Sequence, residues 1–130
     1  MRVSFRHNPL TWSRPNAWYT ALAASCADEQ SHFSEFHDSL FASRLAQTSA
    51  TLEGIAHSSG ISDIARFNTC LRESRTSKRV EQDTIDARAL GLRRTPAFLV
   101  DSVIYVGDPG RDSLFEILGR ALRRPHRPFS

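Results

Sequence analysis

The chain has 130 residues, 40% of them hydrophobic and 24% charged, a makeup that fits one globular domain and leaves too little length for two. No apolar run approaches the length of a membrane span, and the opening residues Met1, Arg2, Val3, Ser4 and Phe5 contain no apolar signal core. Basic residues exceed acidic ones by 17 to 14, with arginine supplying all but Lys78; the excess lies largely in residues 120–127, which read as a solvated tail and not as a nucleic-acid surface.

Residues 2–7 predict a short strand with Val3 and Phe5 on one side, ended by Asn8 and Pro9. Pro15 suits the first turn of a helix that carries Trp18, Leu22 and Cys26 at spacings of four and runs to Gln30. Phe33, Phe36, His37, Leu40 and Phe41 follow at i, i+3, i+4, i+7 and i+8, one apolar stripe on a second helix. Residues 51–59 place Leu52, Ile55 and Ala56 on a third helix that stops at Gly60, and Ser62 or Asp63 opens a fourth with Ile64, Phe67 and Leu71 on one face and Cys70 at its margin. A fifth helix is predicted over residues 77–90, with Val80, Thr84 and Ile85 inward and Gly91 as its cap.

Two four-residue apolar runs, Ala97–Val100 and Val103–Val106, are rich in β-branched and aromatic residues and stand two residues apart. Asp101 between them tolerates the left-handed backbone of a tight turn, so the pair predicts a hairpin. Neither run alternates with polar residues, and both faces of the hairpin should therefore be covered by helices. Thr95 and Pro96 stand directly before it, where a proline belongs at the first strand position or just outside. On backbone physics alone the bond is trans, because only about 5–6% of X-Pro bonds are cis. Ser113, Leu114, Phe115 and Glu116 read as a capping box that opens a last helix, with Leu114, Ile117, Leu118, Ala121 and Leu122 inward. Residues 125–130 read as a basic, frayed tail. Strand, five helices, hairpin and helix make an α/β domain rich in helix over residues 1–124.

Catalytic chemistry is not announced by the residues themselves. His7, His32, His37, His57 and His126 are scattered and show no zinc-ligand spacing, and His37 on its apolar stripe reads as a hydrogen-bonded core histidine. No serine stands in a G-x-S-x-G or S-x-x-K setting, and the six glycines never cluster into a phosphate cradle. No cofactor or metal is expected. Cys26 and Cys70 are too far apart for a C-x-x-C pair.

An ordered set of short motifs carries more. Phe5-Arg6-His7-Asn8-Pro9-Leu10, Asn16-Ala17-Trp18, the run from Ala21 through Cys26 to Ala27, Glu29-Gln30, Phe33-Ser34-Glu35-Phe36-His37-Asp38 and Leu40-Phe41 resemble the DsbA-like thioredoxin-fold proteins. Those proteins are thiol-disulfide oxidoreductases, often recorded as protein-disulfide isomerases. Phe67 to Leu71, Ala89-Leu90-Gly91 and Thr95-Pro96-Ala97-Phe98-Leu99-Val100 continue the likeness in order, so that it covers roughly residues 3–122. The resemblance implies a thioredoxin-like fold of the DsbA type with its helical insertion. It makes Pro96 the cis-proline, puts Thr95 before it against substrate, and implies cysteine-containing protein substrates.

The departure from that family matters as much. Its members begin with a strand and a helix whose N-terminus carries C-x-x-C, where the helix end holds the attacking cysteine as a thiolate. This sequence starts at the family's second strand, so an N-terminally truncated domain without catalytic residues is expected. Cys26 and Cys70 match additional cysteines of the family outside its active site; they form either a structural disulfide, favoured if the chain is exported, or two reduced buried thiols, favoured in the cytosol. With no signal peptide the chain is cytoplasmic as written, although many members of the family are extracytoplasmic.

Three readings follow: a piece of a DsbA-like oxidoreductase, inactive as it stands; a non-catalytic module that keeps Thr95 and Pro96 to hold extended peptide; and a glutathione-using transferase or isomerase of related fold. The third is disfavoured because such enzymes also rely on a residue at the start of the first helix. Neither nucleic acid nor a membrane span is expected among the partners. Self-association through an exposed sheet edge is expected, since removing the first strand leaves the hairpin's neighbour position open.

Overall fold

The computed structural model describes residues 1–124, in which six helices and two strands succeed one another: α1 (Ala17–Glu29), α2 (Phe33–Ala42), α3 (Ser49–Ser58), α4 (Ile64–Leu71), α5 (Ser74–Ala89), β1 (Ala97–Val100), β2 (Val103–Val106) and α6 (Arg111–Arg123). The expected tail at residues 125–130 lies outside the described residues. The chain forms two units, one of residues 6–87 and the other of residues 1–5 with 88–130.

The larger unit is helical. Its core is built on α1, where every residue from Ala21 to Ala27 is buried. That run of small side chains lets α2, α3 and α4 approach α1 closely, and Phe36 of α2 meets Phe67 of α4 with ring centroids 5.8 Å apart. Leu40, Leu52, Ile55 and Ile61 complete the cluster. Leu22, Ala21 and Val80 form a second one that fixes α5. The helix ends follow local chemistry. Thr48 and Thr51 cap α3 reciprocally, each hydroxyl accepting the other's backbone N–H. The Asp63 carboxylate accepts the Arg66 N–H at 2.9 Å to start α4. Gly60, with φ of 88°, reverses the chain after α3 in a conformation a side chain would strain.

Four expectations fail in this unit. Helix α5 starts at Ser74, three residues early, and its inward face is Thr76, Val80, Asp83 and Ala87. Ile85 is 50% exposed, because the spacing 76, 80, 83, 87 turns it away from the core. His37 lies half-exposed at the edge of the α2 stripe, with its ring between those of Phe33 (5.6 Å) and Phe41 (4.7 Å). The stripe overruns the core, and Phe41 at its far side is solvent-exposed.

The smaller unit holds the hairpin and α6. The strands pair antiparallel with Ala97 opposite Val106 and Leu99 opposite Ile104. Asp101 and Ser102 both have positive φ, 53° and 67°, which is the backbone of a two-residue type I′ turn. Helix α6 packs on β1. It begins at Arg111 behind Gly110, so the capping box at Ser113 does not form, and Leu122 is exposed. The sheet has two strands. The strand expected over residues 2–7 is absent: Val3 is 81% exposed, and without a neighbouring strand to satisfy its backbone that segment stays irregular. Nor are both hairpin faces covered. Phe98, Val100 and Tyr105 are half-buried, whereas Leu99, Ile104 and Val106 on the opposite face stand in solvent.

Candidate functional site

In the smaller unit, Thr95 and Pro96 form the entrance to β1. Their peptide bond is cis, and both residues are exposed. The Pro96 carbonyl accepts the Gly107 N–H at 2.8 Å, which carries the ladder one step beyond the paired strands and holds the entrance against the end of β2. Arg93 and Arg94 stand immediately before it, both exposed.

In the helical unit, the two cysteines are joined. Cys26, in the last third of α1, and Cys70, near the end of α4, form a disulfide across a sequence separation of 44, with their Cα atoms 5.8 Å apart. The residues are 1% and 2% exposed, and the bridge lies in the same cluster as Phe36 and Phe67. The buried Thr76 hydroxyl stands 3.4 Å from Cys70 Sγ. Disulfide exchange requires a thiolate to reach a sulfur atom along an open path. Here that path is closed, and neither cysteine sits at a helix N-terminus, where a thiolate would be stabilised. The bridge locks α1 to α4. These are the two cysteines of the sequence, so no third thiol stands beside them.

A third constellation was not legible in the sequence. Asp83 of α5 accepts the His7 backbone N–H at 2.9 Å and the Arg6 guanidinium at 3.2 Å, while the His7 ring meets the Ser25 hydroxyl at 2.9 Å. His7, Ser25 and Asp83 are all buried. Burial pushes the His7 imidazole below its usual range; the nearby Asp83 carboxylate opposes that shift. Serine, histidine and aspartate in contact suggest a catalytic triad, but Asp83 binds the main chain of His7 and the Ser25 hydroxyl is closed off from solvent. The cluster anchors the segment before α1. Its one sequence signal is Ser25, the lone hydroxyl in a run of small apolar residues. Among the described residues no three His, Cys, Asp or Glu side chains stand together as a metal site.

The family model described as Thioredoxin matches residues 2–119. Two curated relatives are also similar. The Na(+)/H(+) antiporter NhaA 1 of Salinispora arenicola is 35% identical over 114 residues, which cover 88% of this chain and 17% of the antiporter. The Na(+)/H(+) antiporter NhaA 3 of Salinispora tropica is 36% identical over 101 residues, 78% of this chain and 15% of the antiporter. The chain thus spans about one-sixth of the length of these relatives. No solved structure matches it.

Proposed function

Because the chain belongs to the thioredoxin family, we propose that it is part of a DsbA-like thiol-disulfide oxidoreductase domain that acts on protein cysteines, and that these 130 residues supply its substrate-side surface and not its exchanging thiols. Thr95 and Pro96 receive an extended, cysteine-bearing polypeptide. Cys26 and Cys70 remain bonded throughout and hold the helical unit together. The observation that carries the reading is the exposed Thr95–Pro96 entrance to β1, at the position where the DsbA-like motifs put substrate contact. The closed, buried bridge supports the second half: the sequence has no other sulfur to exchange, and a structural disulfide suits an oxidising compartment. Without C-x-x-C, the chain alone is inactive.

A second reading has its own support. The matching stretch of the two antiporters is a small share of each, so a non-catalytic thioredoxin-like module working beside or joined to a membrane sodium–proton antiporter also fits the likeness. Titration of the isotope-labelled chain with an unfolded, reduced cysteine peptide separates the readings. The oxidoreductase reading expects saturable NMR shifts centred on Thr95, Ala97 and Phe98, weakened when the peptide cysteine is replaced by serine, and no covalent adduct. Shifts indifferent to the cysteine favour the module. A mixed disulfide through Cys26 or Cys70 overturns both.

A further inference from the structure

Helix α5 ends at Ala89 and β1 begins at Ala97, so the chain reaches the Thr95–Pro96 entrance through a short irregular link. Gly91, with φ of 72°, turns the chain out of the helix, and its N–H returns to the Arg88 carbonyl at 2.9 Å. At the far end the Gly107 N–H holds the Pro96 carbonyl. The link is thereby pinned on both sides, and it carries Arg93 and Arg94, both exposed, immediately before Thr95. From Arg88 to Val100 the chain holds three arginines and no carboxylate. Among the described residues, Arg6, Arg75, Arg79 and Arg120 each hold a carboxylate, whereas neither Arg93 nor Arg94 does. On the other side of Pro96 the chain is apolar, running Ala97, Phe98, Leu99 and Val100.

We propose that Arg93 and Arg94 set the substrate class of this entrance: a cysteine-bearing polypeptide with aspartate or glutamate close to its cysteine, on one side only. The inference rests on the reading of Thr95 and Pro96 as the place that receives such a polypeptide. Reach sets the spacing. An extended chain advances about 3.3 Å per residue, so a polypeptide whose cysteine lies at Thr95 carries its next two or three residues, roughly, past Arg94 and Arg93. A guanidinium group binds a carboxylate in two-point fashion, which suits both side chains to an acidic neighbour. Two like charges adjacent in sequence also repel each other, and a bound carboxylate relieves that repulsion. A lysine or arginine in the same place of the polypeptide meets it instead, so the pair selects against basic sequences as well as for acidic ones. Because both arginines are exposed, each ion pair contributes modestly and the pair sorts substrates without deciding binding outright.

The test titrates the isotope-labelled intact chain with short reduced peptides that share a central cysteine. Glutamates precede the cysteine in one and follow it in another; lysines or glutamines replace them in two more, and a last pair carries glutamates with serine for cysteine. The proposal expects every cysteine peptide to shift the Thr95 and Ala97 amides, and one glutamate peptide to bind about three- to tenfold tighter than its glutamine counterpart. The lysine peptide should bind most weakly. The gain should disappear in Arg93→Gln/Arg94→Gln and at high salt, and should remain in Arg123→Gln/Arg124→Gln, which lowers the net charge equally at another place. Equal binding of glutamate, glutamine and lysine peptides, still centred on Thr95, overturns the proposal and leaves the reading of the entrance intact. So does an equal gain from both glutamate peptides, a gain that survives Arg93→Gln/Arg94→Gln, or one that Arg123→Gln/Arg124→Gln removes. Glutamate peptides that bind as well with serine as with cysteine, or the absence of shifts at Thr95 with every peptide, overturn the reading of the entrance and the proposal with it.

Discussion

Asp83, on α5, accepts the backbone N–H of His7 from 76 residues away in sequence, at 2.9 Å. With the Arg6 guanidinium on its other oxygen and Ser25 on the His7 ring, the carboxylate fixes an irregular segment to two helices by polar contacts inside the protein. A buried network of this kind specifies one geometry because each member's alternatives leave a polar group unpaired.

Asp83→Ala leaves the buried His7 N–H without its acceptor and should cost about 1–3 kcal/mol in urea unfolding. Asp83→Asn retains a side-chain oxygen and should cost less. Arg6→Ala should cost no more than about 1 kcal/mol, because the Arg6 side chain is 70% exposed and its ion pair is screened by water.

His7 also predicts a pH dependence. Burial lowers its folded pKa below the ordinary 6.5, so as pH falls the unfolded chain takes up the proton first. The stability His7 contributes is therefore complete above 6.5 and is lost as pH falls from 6.5 through the lowered folded value. Unfolding free energies measured on both sides of that window should fall with acid in the wild type, and the part due to His7 should vanish in His7→Gln. Glu29, held low by its hydrogen bond with Arg75, adds a separate loss that begins only below its ordinary 4.5.

The Cys26–Cys70 bridge closes a separation of 44 residues. In the chain-entropy model this contributes roughly 4 kcal/mol, a large share of the about 5–15 kcal/mol typical of whole domains. Cys26→Ala/Cys70→Ala should lower the urea midpoint accordingly. In the native wild type, dithiothreitol should reduce the bridge slowly, and the rate should rise steeply in urea as the core opens.

What could be read in advance was what local chemistry decides. The hairpin and its two-residue turn follow from two apolar runs around Asp101 and Ser102, and α2 from the stripe of Phe33, Phe36 and Leu40. What could not be read depends on distant partners. Asp83 looks like any solvated charge on a helix until His7 arrives to use it. Residues 2–7 have the composition of a strand, but a strand exists only beside another. The Ser113 box lost to an earlier start at Arg111, where Gly110 turns the chain with φ of 75°. The partnership of Cys26 with Cys70 was implied by resemblance alone, because sequence spacing does not specify which cysteines meet. Beside the hairpin, the cis bond before Pro96 and the open edge of β1 were implied by resemblance alone, since backbone physics favours trans, and the uncovered face runs against the continuous apolar runs, which predict burial on both sides.

The central claim is that this chain presents substrate and does not exchange disulfides itself. Turnover tests it most directly: insulin reduction by the purified chain with glutathione, alongside the Cys26→Ser/Cys70→Ser variant. The account predicts that both proceed at the uncatalysed rate, because the bridge is closed to attack and no other thiol exists. Turnover by the wild type that disappears in the double variant would place the chemistry on Cys26 and Cys70 and contradict it.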